Sequence, residues 1–360
     1  MRIAFSIGER PAQGLEPLLE EQVLIRGTRA ATILAAACVV AVACGGQTAS
    51  TSSGGDKPAG ADRTQIKDWS DPRPSAWTKK YPLFAPSALG DGSLKRVQDA
   101  GVLTHCAELD YSPYDFVDPK TQEIRGFEID MFNYVGKVLG VSNVKHVNIN
   151  WQSMIPGVQA GTCDIGAQGL AIRSDRAGAP GIKFSVPYMA LFDVISVRKD
   201  SSINQLSDLK GKKVATIAGS TDELSLKALI DSQLGGPNVT KLVTFNGASE
   251  CYIATVNRTV DACVMDLTIA NPNTGMLSQY TQLHIVGPPI PYVPSNANEP
   301  KLNPYVFGSC GAVLRAVDGD LNRAFSIALN MWISSGQQQK VMDKWGIWNG
   351  SQSQLVRQDA

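Results

Sequence analysis

With 360 residues the chain is long enough for two domains of ~150 residues each. Its 33 Lys plus Arg balance 33 Asp plus Glu, which excludes the basic face of a nucleic-acid binder and leaves no polybasic patch for a membrane surface. The three histidines, His105, His146 and His284, stand far apart in the sequence and lack the Cys/His spacing of a zinc site, so neither a metal nor another cofactor is expected.

In chain order, the first feature is a targeting segment. Arg26 and Arg29 precede an apolar run from Ala30 to Ala43, too short for a transmembrane helix, which needs ~20 apolar residues. Basic residues, a short apolar stretch and small residues at its end predict a secretory signal over 1–43. Its end, Ala41-Val42-Ala43-Cys44-Gly45-Gly46, resembles a bacterial lipobox with Cys44 as the lipidated residue; Ala41 stands where Leu is usual, and Cys38 is the alternative. Residues 1–22 carry Glu9, Glu16, Glu20 and Glu21, which fit a misassigned start. From 44 to 62 the chain is rich in Gly, Ser, Thr and Ala, a composition that cannot bury a core and predicts a flexible tether; 63–89 reads as an irregular lead-in. Five further cysteines, Cys106, Cys163, Cys251, Cys263 and Cys310, lie in an exported and therefore disulfide-permissive chain. Five is odd, a bridge among the last three is expected, and nothing in the spacing chooses the pairs.

The folded part alternates strands and helices. Leu94–Ala100 is a short helix stopped by Gly101, and Val102–Ala107 a strand. A polar loop follows. Met131, Val135 and Leu139 recur at i, i+4, i+8, an amphipathic helix stopped by Gly140. Val144–Ile149, Ser153–Gln159 and Cys163–Ala167 read as strand, helix and strand. A second series follows: strands over 190–197, 213–217, 241–245, 260–266 and 306–314, with helices over 220–230, 248–257, 321–334 and 337–345. Strands alternating with helices predict parallel sheets in an α/β architecture, here two of them.

The order of short phrases resembles the bacterial extracellular solute-binding protein family 3, the amino-acid-binding proteins of ABC importers. Those phrases include Leu109-Asp110-Tyr111-Ser112-Pro113-Tyr114, Gly126-Phe127-Glu128-Ile129-Asp130, Trp151 with Ile155-Pro156, and Gly161-Thr162-Cys163-Asp164-Ile165. Arg176, Phe184-Ser185-Val186-Pro187-Tyr188, Gly219-Ser220-Thr221, Asp266 and Lys344-Trp345-Gly346 continue the series. The resemblance implies a two-lobed periplasmic-binding-protein type II fold. Lobe one would comprise 90–195 plus 306–349, lobe two 196–305, with two hinge strands between them and 350–360 as a tail. It also implies a ligand held between the lobes, a permease and its ATPase as partners, a lipid-anchored position outside the bacterial cell membrane, a monomer, and no catalysis.

A zwitterionic ligand needs forked cationic donors and a nearby anion. By resemblance Arg176 faces the ligand carboxylate, which a guanidinium matches bidentately. Ser220 and Thr221 open a helix whose N-terminus offers further donors, although Ser220 with Glu223 also fits a purely structural capping box. Asp266, at the carboxyl end of a strand, resembles the acceptor of the α-ammonium, or else caps the segment after it. Tyr111 and Trp151 resemble aromatic walls, and Glu108 holds the position of an acidic side-chain selector. Gly169 and Ala171 occupy the ligand-facing segment where the family carries hydroxyls, and Arg173 replaces a Thr. If Arg173 faces the cleft, an acidic ligand becomes attractive. Two alternatives remain open: an enzyme resembling cyclohexadienyl dehydratase, and a sensor for a membrane partner.

Overall fold

The computed structural model describes residues 90–141, 143–290, 308–349 and 352, all within one compact unit, Gly55–Ala360. The expected signal, Cys44, the tether and the lead-in lie outside the described residues. Helix α1 (Ser93–Ala100) buries Leu94 and Val97 and ends on Gly101 at φ 65°, a left-handed stop that turns the chain into β1 (Val102–Ala107). The expected polar loop contains a small antiparallel sheet: β2 (Asp110–Tyr111), β3 (Asp115–Val117) and β4 (Ile124–Arg125). Helix α2 (Phe127–Leu139) buries Phe127, Met131, Val135 and Leu139, one apolar stripe at a four-residue interval. Then come β5 (Asn143–Asn148), a 3-10 turn at Trp151–Ser153, α3 (Met154–Gln159), β6 (Ile165–Gly166), α4 (Ser174–Ala177) and β7 (Ile182–Phe184).

The strand expected over 190–197 is two strands, β8 (Met189–Leu191) and β9 (Asp193–Arg198), broken at Phe192. Next are β10 (Lys213–Ile217), α5 (Thr221–Gln233), β11 (Lys241–Phe245), α6 (Ala248–Val256), β12 (Ala262–Asp266) and β13 (Leu283–Val286). The strand expected over 306–314 likewise divides, into β14 (Gly308–Cys310) and β15 (Val313–Arg315); α7 (Gly319–Ser334) and α8 (Gln337–Lys344) follow.

Two five-stranded sheets result, ordered β5-β1-β6-β15-β7 and β11-β10-β12-β9-β13. In each, the first three strands run parallel and the last two are antiparallel neighbours, so the two sheets repeat one topology. The chain crosses from the first sheet to the second through β8 and back through β14. These two strands pair with each other, Met189 opposite Cys310, and β14 also bridges Ala171. Strand β9 already begins at Asp193, ahead of the 195/196 boundary drawn from the sequence.

The cysteines pair as expected in the second half, with a bridge among the last three and one left over, whereas the histidines lie closer together than their sequence spacing suggests. Cys106–Cys163 ties β1 to the segment before β6, Cys251–Cys263 ties α6 to β12, and Cys310 is free and buried. His105 and His146, far apart in sequence, are register partners on β1 and β5, with Nδ1 atoms 3.0 Å apart. His105 also lies with Asp115 and Glu128 in a buried cluster whose candidate ligand atoms fall within 4.8 Å of one another. Both ring nitrogens of His105 are engaged, one by His146 and one by the Ala167 carbonyl, so the ring offers no spare lone pair to an ion.

Candidate functional site

The carboxyl edges of the two sheets meet around a small, partly open space lined by Tyr111, Trp151, Gln168, Gly169, Leu191, Ser220, Thr221, Asp222 and Asp266. Six of these were singled out from the sequence; Gln168, Leu191 and Asp222 were not. Trp151 starts the 3-10 turn after β5, and its N–H donates to Glu108 Oε2 at 3.2 Å. Tyr111, nearly buried, is tilted against Tyr114 with centroids 6.2 Å apart. Gly169 sits at φ 59°, and a Cβ there would lie 2.6 Å from Tyr114 Oη, so the aromatic floor requires glycine at this point.

Arg176, on α4, is 7% exposed, with its guanidinium 5.5 Å from the Trp151 ring centroid. It donates to the carbonyls of Gly219 (2.9 Å) and Ala171 (3.3 Å), and so reaches from the first sheet's side to the start of α5. Burial, and then the neighbouring charge of Arg173, pulls its pKa down to about 9, which leaves it cationic at neutral pH. It adjoins the cavity rather than lining it. Arg173 donates to Thr221 Oγ1 at 3.3 Å and, like Arg176, adjoins the cavity without lining it. Its Nε and Nη2, however, are held by Asp175 at 3.0 and 2.8 Å, which offsets the positive charge that had pointed to an acidic ligand.

Ser220 performs the structural role open to it: its Oγ accepts from the N–H of Glu223 at 3.0 Å and caps α5. Glu223 reaches back one residue further than a capping box, to the N–H of Gly219 at 2.7 Å. Asp266 Oδ1 accepts from the N–H groups of Thr268 (2.7 Å) and Ile269 (3.4 Å) and from Tyr114 Oη (3.4 Å), so it does fix the segment after β12 while also lining the cavity. Glu108 stands behind Trp151 and Ala171 pairs with Cys310; neither lines the cavity.

Three carboxyls converge on the second sheet's side. Asp193 lies opposite Asp266 in the β9–β12 register and is fully buried. Its oxygens meet no N–H donor, and it faces Asp222 in the first turn of α5. Burial raises Asp193 well above the carboxylate range, Asp222 to about 6, and Asp266 to about 7 with a further push from Asp222. Glu108 is raised to about 7 by burial and by Asp110. Asp222 escaped the sequence reading because an acidic residue in a helix's first turn is ordinarily a solvated partner of the helix dipole.

Residues 103–347 match the profile of the bacterial extracellular solute-binding proteins, family 3. Among characterised relatives, a probable histidine-binding protein of Neisseria gonorrhoeae is 28% identical over 46% of this chain and 62% of its own length, less than two thirds. An L-glutamate/L-aspartate-binding protein of Pseudomonas aeruginosa is 24% identical over 71% of this chain and 80% of its own. The crystal structure of an ancestral amino acid-binding protein, AncCDT-1, described as a precursor of cyclohexadienyl dehydratase, aligns with a TM-score of 0.57 at 26% identity, covering 70% of this chain and 99% of that one.

Proposed function

The chain belongs to the bacterial extracellular solute-binding proteins, family 3, and we propose that it captures a free amino acid in the cavity between its two sheets and delivers it to an ABC permease and its ATPase. In this reading the two lobes are 90–195 plus 306–349 and 196–305, the β8/β14 pair is the hinge, and the protein works as a monomer. One observation carries it. A guanidinium stacked on Trp151 from one side and the Asp266 carboxylate from the other adjoin one aromatic-walled space, the complementary charges that an α-carboxylate and an α-ammonium require. Hydrogen bonds to charged groups are worth ~1.5–3 kcal/mol each, and a few of them exceed the cost of ordering a small rigid ligand to give micromolar binding at ~8 kcal/mol.

A thermal-shift screen against the common amino acids tests this, because a ligand bound only by the folded state raises its melting temperature. At least one amino acid is expected to stabilise the protein. Arg176→Ala and Asp266→Asn are each expected to weaken binding by about tenfold or more, as for loss of one charged hydrogen bond. The same preparation should leave prephenate and arogenate unconsumed, since the chain is read as a binder rather than a dehydratase. Stabilisation that survives both substitutions would sink the site assignment.

We further propose that the precursor is exported and anchored through a lipid on Cys44, as the basic, apolar and small-residue order before it supports. Metabolic labelling with a fatty acid should mark the wild-type protein and not Cys44→Ala. Label retained on the variant would remove the assignment.

A further inference from the structure

The cavity's charges do not balance around a neutral amino acid. Asp222 and Asp266 both line it, each 6% exposed. Of the two arginines beside it, Arg173 is neutralised by Asp175. Arg176 remains as a single cation against two lining carboxylates. Asp266 has three donors of its own, from Thr268, Ile269 and Tyr114. Among the described residues no cation is hydrogen-bonded to Asp222; its carboxyl faces Asp193, a buried acid whose oxygens meet no N–H donor and whose burial favours the protonated form. The aromatic wall formed by Tyr111 and Trp151 presents electron-rich faces, and a further acid, Glu108, stands directly behind Trp151.

With Asp222 and Asp266 both ionised, as above neutral pH, adding a zwitterion, which brings one charge of each sign, leaves this space one negative charge in excess. An acidic amino acid raises the excess to two, and an amino acid with a cationic side chain cancels it. An uncompensated buried charge is costly, whereas a paired one is tolerated. Resting on the amino-acid-binding reading above, we propose that Asp222 makes the site selective for an amino acid with a positively charged side chain, by supplying the second carboxylate that such a ligand neutralises. Relatives named for histidine, glutamate or aspartate, glutamine and arginine all match the chain, and several of the solved structures that it resembles are arginine-binding proteins.

Calorimetric titration of the full-length protein with L-arginine, its uncharged isostere L-citrulline, and L-glutamate tests the assignment. Citrulline keeps the α-carboxylate, the α-ammonium and nearly the same shape, so the arginine-to-citrulline ratio isolates the side-chain charge. Arginine is expected to bind about tenfold or more tighter than citrulline, with glutamate weakest, and Asp222→Asn should narrow the arginine-to-citrulline ratio to within about threefold while citrulline binding persists. Should the variant fail to fold, the wild-type ratio alone still decides. Citrulline or glutamate binding as tightly as arginine overturns this proposal and leaves the amino-acid reading standing. An unchanged ratio in a folded Asp222→Asn protein removes Asp222 from the role. No heat with any of the three, and none with the other common amino acids, overturns both.

Discussion

Asp115 and Glu128 are fully buried side by side, and how they hold their protons sets a pH dependence for the whole protein. Glu128 Oε1 accepts from Tyr188 Oη and from the Gly169 N–H, while its other oxygen and both oxygens of Asp115 meet no N–H or hydroxyl donor. Burial raises Glu128 to about 7, and burial with the neighbouring Glu128 raises Asp115 well above the carboxylate range. The folded state therefore binds more protons than the unfolded chain between the unfolded carboxyl range and neutrality. Stability is fully present below that range and falls as pH rises through it, by up to about 1.4 kcal/mol per pH unit for each proton held. Asp193, Asp222 and Asp266 act in the same direction. His105, lowered well below its usual value, and His146, lowered to about 4, act oppositely, but the raised acids, Glu108 among them, outnumber them. The ligand-free protein is expected to melt at progressively lower temperature from pH 5 to pH 7.5, and Asp115→Asn should make that slope shallower. An unaltered slope in the variant would show that the pair does not hold the proton. None of this was legible in the sequence. Asp115 read as part of a polar loop and Glu128 as one letter of a recurring phrase, because burial of an acid depends on which elements close over it. Arg176, Asp266, Tyr111 and Trp151 were legible because each sits in a phrase whose spacing is constrained by the backbone that carries it.

At the scale of elements, local patterns were read well and crossings poorly. Helices α1 and α2 are announced by apolar residues three or four apart and by glycines that only a left-handed stop requires, and both end at the expected places. The two apolar runs over 190–197 and 306–314 each read as one strand, since period and composition are continuous through them. The division at Phe192 and at Gly311-Ala312 comes from tertiary structure: Leu191 pairs with Gly308 in the β8/β14 pair, while Asp193 pairs with Asp266 in the second sheet. Gly311 marks the second break, where a Cβ would meet Ile172 Cδ1 at 2.8 Å, a close approach that a single sequence does not reveal. The short edge strands β7 and β13 were missed for a related reason. Both are brief and pair antiparallel at a sheet's end, so no helix follows to signal a βαβ unit. Disulfide pairing shows the same limit. Cys106 and Cys163 are separated by 57 residues but are brought to a Cα distance of 5.7 Å, and only the β1–β6 pairing places them together.

At the scale of the molecule, the two sheets are in contact across the cavity. Ser112 Oγ donates to the Thr274 carbonyl at 2.7 Å, and the Met276 N–H donates to the Ser112 carbonyl at 3.0 Å. Gln152 Nε2 donates to the Asn246 carbonyl at 3.2 Å, and Arg176 bonds Gly219. Each such hydrogen bond contributes only ~1 kcal/mol net, because in an open form the same groups bond water. Closing also strips water from Asp222 and Asp266, which repel one another, with Arg176 the cation among the described residues left to offset them. Contacts and desolvation thus oppose one another, and the open and closed forms differ by little until a ligand fills the space. A cationic amino acid tips the balance twice, through its own hydrogen bonds and by cancelling the charge that closure buries. In the proposed reading the β8/β14 pair, which belongs to neither five-stranded sheet, absorbs the rotation. Small-angle scattering should therefore show the radius of gyration falling when saturating arginine is added to the wild-type protein, with no fall for Arg176→Ala at the same concentration. A wild-type protein that binds arginine in calorimetry yet keeps its radius unchanged would mean that the sheets are held together by these contacts alone, and that the ligand enters without the hinge moving.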